Sequence, residues 1–209
     1  MKIAVKEHLE RFVQTRPEIP ERERMQFPDA VVETEDIKIM MISETVPEKP
    51  DDFFYSRVEG ADFMKTALPI FQEAGIPVET IDDILARGIY ITTATKTPKA
   101  EYAVPTETIK AQLPLLAEEI RLFPNLQVIL LMGDVAKKAV NLIARGQNGK
   151  NVIPSGATYK LRGNEYHWGN VRVMPSYIIT GGNILIEKSK VRMVREDLEM
   201  VRRMVKEEC

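Results

Sequence analysis

Two segments end in residues suited to chemistry. Ile39-Met40-Met41-Ile42-Ser43-Glu44-Thr45-Val46-Pro47 is an apolar run that stops at a carboxylate. Val171-Arg172-Val173-Met174-Pro175-Ser176-Tyr177 alternates and stops at Pro-Ser. A carboxylate suits positioning or activating water, and it suits balancing a developing positive charge. Both segments read as strands, and in open α/β sheets ligands bind where the C-terminal strand ends meet loops. Glu44 and the Pro175-Ser176 turn are therefore expected to form two walls of one pocket.

The elements that must position them follow from periodicity. Residues 1–14 place Ile3, Val5, Leu9, Phe12 and Val13 between charges, which predicts a short amphipathic helix. Residues 15–30 carry Pro17, Pro20 and Pro28 and predict a surface connection that wraps the domain. Ile37 to Ile42 suits a buried parallel strand. Phe63 to Phe71 repeats at helical spacing and ends at Gly75, and Thr80 is a plausible N-cap for a helix through Ala86. Gly88–Thr93, Gln127–Met132 and Val171–Met174 are the further strands. A long helix starts at Thr106, with a kink or restart expected at Pro114. Another helix follows Gly133-Asp134, and residues 189–207 form a charged amphipathic helix. This alternation predicts a three-layer α/β/α fold around a mostly parallel four-stranded sheet. Residues 1–35 are expected to form an N-terminal helix and wrapping segment, and residues 36–209 the α/β/α domain.

Composition narrows the function classes. A chain of 209 residues, 44% hydrophobic, fits one domain or one domain with an appendage. No run reaches the roughly 20 apolar residues of a membrane span, and the charged N-terminus is unlike a signal peptide, so a cytoplasmic protein is expected. A net charge of -2 gives no global attraction for nucleic acid, though a local basic groove remains open. Cys209 is the single cysteine, and His8 and His167 lie far apart. No metal, iron–sulfur cluster or other cofactor is expected from such a set.

The order of several segments resembles the uracil-DNA glycosylase superfamily, especially its shorter microbial branch, over about residues 36–205. Ile42-Ser43-Glu44-Thr45-Val46-Pro47 is similar to the family's strand followed by Gly-Glu-Ala-Pro-Gly, with Ser43 in place of the Gly and the Pro displaced by one. Tyr90-Ile91-Thr92-Thr93-Ala94-Thr95-Lys96-Thr97-Pro98 resembles Tyr-Ile-Thr-Asn followed by a Lys and a Pro, with Thr93 at the Asn position. Val128 to Ala136 resembles a strand that turns into a helix through Gly-x-x-Ala. Met174-Pro175-Ser176-Tyr177 resembles His-Pro-Ser with Met174 in place of the His, and Asp197-Leu198 resembles a common ending.

The resemblance implies hydrolysis of the N-glycosidic bond of a damaged or deaminated base, by base flipping and attack of water. On it, Glu44 would position or activate water, and Phe54 of the Phe53-Phe54-Tyr55 trio would stack on the flipped base. Thr93 would read the base edge with one hydroxyl where an amide offers both a donor and an acceptor. Met174 departs from the family His and lacks a comparable donor; losing such a donor typically costs about 10²–10³ in rate. Pro175, Ser176 and Tyr177 would hold a DNA phosphate, with Gly181-Gly182-Asn183 extending the loop and Lys190 adding charge. DNA, single- or double-stranded, is the implied partner, with no membrane involved.

Three functions remain open from the sequence. One is a monofunctional DNA glycosylase. The second is a catalytically weak or inactive superfamily member that binds a nucleobase, a nucleotide or single-stranded nucleic acid, which the Met174 departure favours. The third is an unrelated doubly wound protein, for example a nucleotide or small-metabolite enzyme. The absence of Gly-x-Gly-x-x-Gly and of Gly-x-x-x-x-Gly-Lys-Ser/Thr counts against dinucleotide and P-loop classes.

Overall fold

A computed structural model describes residues 1–100, 103–181 and 183–206. Gly182 and the single cysteine, Cys209, lie outside the described residues. Strands β1 (Lys2–Ala4), β2 (Val31–Glu33), β3 (Ile39–Thr45), β4 (Ile89–Thr95), β5 (Val128–Met132), β6 (His167–Trp168) and β7 (Val171–Ser176) form two sheets. The central sheet has the order β4-β3-β5-β7-β6. Its first four members are parallel, and β6 pairs antiparallel with β7. The sheet thus has five strands where four were expected. The extra one is a two-residue strand that turns back through Gly169, with φ +60°, to pair with the start of β7.

The order fixes where a ligand crevice falls. From β3 the chain moves to β4 on one side, then crosses to β5 on the other. The topological switch point therefore lies between β3 and β5, at the ends marked by Glu44 and Gly133.

Helices cover both faces: α1 (Val5–Gln14), α2 (Asp62–Glu73), α3 (Ile81–Ala86), α4 (Thr106–Arg121), α5 (Asp134–Asn148), α6 (Thr158–Leu161), α7 (Asn183–Ile186) and α8 (Lys188–Lys206). On one face α4 packs on β4, and α5 packs on β3 and β5. On the other, α8 packs on β7, with α2 beside it. Side chains alternate between faces along each strand. Tyr90, Thr92 and Glu44 point to the α4/α5 face, where Thr92 bonds Glu119 of α4 and Glu44 bonds Val135 of α5. Ser176 points to the α8 face, where it bonds Asp197.

Several local expectations change. Residues 2–4 are a strand paired with residues 31–33, a contact between distant segments, and the first helix begins only at Val5. α4 runs unbroken through Pro114, whose ring lies on the exposed side while Ile109, Gln112, Leu115, Leu116 and Glu119 are buried. α2 likewise contains Pro69. Thr80 does cap α3, in a reciprocal capping box with Asp83.

The N-terminal segment shares the central core, since Val5, Leu9, Val13 and Ile19 are buried in the same cluster as the sheet. It also ties the loops at the crevice end. The Gln26 N–H donates to Lys96 O at 2.8 Å, and Gln26 Nε2 donates to Pro47 O at 2.8 Å.

Candidate functional site around Glu44

Glu44 is the last residue but one of β3 and is half-buried. Its Oε1 accepts the N–H of Val135 at 3.2 Å, in the first turn of α5. The first N–H groups of a helix lack partners within it, and the helix dipole there favours negative charge. α5 thus holds and orients the carboxylate. Gly133 makes the approach possible. It caps α5 at φ +104°, and a Cβ there would lie 2.5 Å from Glu44 Oε1 and 2.8 Å from Ile178 Cγ1. The Gly133 N–H donates to Ser176 O at 3.2 Å, which links the end of β5 to the end of β7. The two strand ends singled out in the sequence therefore meet through Gly133. Asp134 is exposed and pairs with Lys137 at 2.7 Å, so the cap position belongs to Gly133.

Thr93 and Met174 lie elsewhere. Thr93 pairs in register with Ser43, and Met174 with Leu130, each two residues before its strand ends. By alternation from Ser176, both face the α8 side, opposite Glu44. Thr93 is fully buried, and among the described residues its hydroxyl oxygen has no hydrogen-bond partner. Met174 is packed in the core.

Phe54 is also fully buried. Its ring packs against Phe53 and edge-on against Phe63 of α2, with centroids 5.1 Å apart for the latter pair. Next to it, the Tyr55 hydroxyl donates to Ile91 O at 2.7 Å, and burial pushes the Tyr55 phenol well above its ordinary pKa. β4 is the edge of the sheet. Tyr55 covers one carbonyl of that edge, a position where unpaired carbonyls otherwise face solvent.

Pro175 and Ser176 are buried at the end of β7. The Ser176 hydroxyl donates to Asp197 Oδ2 at 2.6 Å, so it serves a clasp rather than an open anion site. Asp197 Oδ1 in turn accepts from Arg162 at 2.7 and 3.0 Å, and Arg162 also donates to Met193 O. Burial raises the Asp197 carboxyl, against the opposing pull of Ser176 and Arg162. Tyr177 is half-buried, with Lys190 Nζ 5.8 Å from its ring centroid; Lys190 is ion-paired to Glu187 at 2.5 Å.

A second polar cluster lies inside the α4/α5 layer. Lys96 and Glu119 are both buried and paired at 2.6 Å. Lys96 Nζ also donates to Thr92 Oγ1 at 2.6 Å and to Thr93 O at 2.8 Å. Glu119 Oε1 accepts from the Thr92 hydroxyl at 2.7 Å and from the Tyr90 hydroxyl. Burial lowers the Lys96 amine, while Glu119 pulls it back up. With three acceptors on three protons, this ammonium is saturated and does not present itself as a nucleophile. The sequence carries one signal for the pair. Glu119 continues the buried stripe of Ile109, Gln112 and Leu116 on α4, a place where a carboxylate needs a partner.

His167 lies on β6, register-paired with Arg172 at the start of β7. It lines an open groove of about 600 Å³ with Lys38, Asn125 and Arg172, at the end of the sheet away from Glu44. It does not stand in for the donor missing at Met174. Among the described residues no group of His, Cys, Asp and Glu could hold a metal ion, and no helix is long and apolar enough to cross a membrane. No protein-family model matches the chain, and no curated protein matches its sequence.

Proposed function

We propose that the chain is a uracil-DNA glycosylase-like hydrolase that releases a damaged or deaminated base from DNA, with Glu44 as the residue that orders the attacking water. The observation that carries this reading is the place of Glu44. It sits at the topological switch point, with one oxygen fixed by Val135 N–H against Gly133. Such fixing orients the carboxylate before a ligand arrives. In the reaction, water adds to the sugar carbon, the base departs with the bonding electrons, and Glu44 takes up or steers the proton. The matching order of segments in the sequence supports the choice of base release over other hydrolyses.

A second reading is binding of a nucleobase, nucleotide or single strand without cleavage. The burial of Met174 and Thr93 on the opposite face favours it, since neither is presented beside Glu44. A leaving base without a donor at its oxygen departs more slowly, by about 10²–10³.

The test is base release from single- and double-stranded oligonucleotides carrying uracil, hypoxanthine, xanthine or mismatched thymine. Glu44→Gln is the key variant, because its amide oxygen still accepts from Val135 while it cannot take a proton. Release by the wild type that is lost in Glu44→Gln supports the hydrolase. Binding of the same oligonucleotides without release by either protein favours the second reading.

A further inference from the structure

The surface beside the end of β7 carries two tyrosines, each with a lysine over its ring. Tyr159 on α6 is 61% exposed, and Lys160 Nζ lies 5.6 Å from its centroid. Tyr177 follows β7 directly, with Lys190 Nζ of α8 5.8 Å from its centroid. α6 packs against β7, and Arg162 at the end of α6 bonds Asp197 of α8, the helix that carries Lys190, so both rings border one surface. Arg162 ties the end of α6 to α8 through Asp197, Glu196 and the carbonyl of Met193.

The charges facing the rings are mostly compensated. Glu187 pairs with Lys190, and Glu196 and Asp197 pair with Arg162. Lys160 has no ion pair among the described residues. The surface therefore offers aromatic faces first and an unpaired amine second. That combination suits a strand of unpaired bases, which stack on rings while their phosphates meet cations. It suits a duplex poorly, because stacked bases present no free faces.

We propose that Tyr159 and Tyr177, with Lys160 and Lys190, form a stacking platform for single-stranded nucleic acid. Its link to the strand that delivers a base to Glu44 rests on the proposed function; the platform itself does not.

The experiment is a fluorescence-anisotropy titration of the full chain with labelled oligodeoxythymidylate of about ten nucleotides, a length within one single-strand site. A fully abasic oligonucleotide of the same length is the comparison. Tyr159 is exposed, so Tyr159→Ala leaves the core untouched. The variant is expected to weaken binding by about 5- to 150-fold, the range of one lost base–aromatic stack. Tyr159→Phe is expected to restore it, and the abasic strand, which loses the stack on Tyr177 as well, to bind more weakly than oligodeoxythymidylate binds Tyr159→Ala. Lys160→Ala is expected to flatten the salt dependence. Equal binding by wild type and Tyr159→Ala, equal binding of the two oligonucleotides, or no binding by the wild type would each overturn the platform. Its failure is separable from failure of the hydrolase. Base release that survives Tyr159→Ala with unchanged affinity defeats the platform alone, and Tyr159-dependent binding without Glu44-dependent release defeats the hydrolase alone.

Discussion

Glu44 Oε1 occupies the space that a side chain on residue 133 would need, 2.5 Å from where the Cβ would stand. The close approach couples a backbone requirement to a chemical one. Gly133 has φ +104°, outside the range L side chains ordinarily adopt, and its N–H holds the end of β7. Gly133→Ala is therefore expected to strain the backbone and push the carboxylate away from Val135. The expected cost is about 1–3 kcal/mol, measured by urea denaturation. Any Glu44-dependent base release should fall by more than the loss of folded protein explains. A variant of unchanged stability and rate would mean that the carboxylate does not need this place.

The Lys96–Glu119 pair is a structural fastening of α4 to β4, and its energetics are asymmetric. Lys96→Met leaves Glu119 charged and buried, with Tyr90 and Thr92 as its remaining donors. Breaking such a pair from one side costs about 3–5 kcal/mol. Adding Glu119→Gln removes the stranded charge and keeps an acceptor for both hydroxyls. The double variant is thus expected to be more stable than Lys96→Met alone. Equilibrium denaturation of the three proteins checks this; a double variant less stable than the single one would contradict it.

Asp197 gives the clasp at the end of β7 a pH signature. Burial raises its folded-state pKa above the ordinary 3.8, despite Ser176 and Arg162. The folded state therefore binds the proton more tightly than the unfolded chain. This contribution to stability is fully present below 3.8 and is lost as pH rises through the raised value. Unfolding free energies measured across mildly acidic pH should show a descending component in the wild type. It should be absent in Asp197→Asn. A matching slope in both proteins would sink the assignment.

Phe54 separates a core ring from a base stacker. Its ring is fully buried against Phe53 and Phe63, beside the Tyr55 contact with β4. Phe54→Ala is expected to cost about 3–5 kcal/mol, as for other large core truncations. The affinity of the folded fraction for an oligonucleotide should hardly change. Normal stability with a tenfold loss of affinity would instead make Phe54 a ligand contact.

The layers of the fold were legible because parallel strands such as Ile37–Ile42 are buried on both faces and read as apolar runs. The edges were not. β1 pairs with β2 across roughly thirty intervening residues, and β6 is two residues held by a turn, so neither leaves a periodic trace. Pro114 reads as a break because it lacks an N–H, yet packing of the buried face of α4 carries the helix past it. At the site, Glu44 stood out as a charge ending an apolar strand. Lys96 did not, because a lysine after a strand reads as surface until its distant partner Glu119 is seen. Strand register decided the rest: it sets Thr93 and Met174 inside the sheet, and a motif carries no register.

Register also makes Met174 testable. Met174 lies opposite Leu130 in the body of β7, on the face covered by α8, whereas Glu44 points to α5. Met174→His would give the chain the residue type found at the matching position of the glycosylase motif. In this geometry the imidazole enters an apolar layer, where an unpaired polar group costs about 1–3 kcal/mol, and its nitrogens stay on the far side of the sheet from Glu44. The variant is therefore expected to be destabilised, with no gain in base release over wild type. A rise approaching the 10²–10³ that such a donor contributes would show instead that residue 174 reaches the reacting base. The separation of Glu44 and Met174 onto opposite faces would then be wrong for the ligand-bound protein.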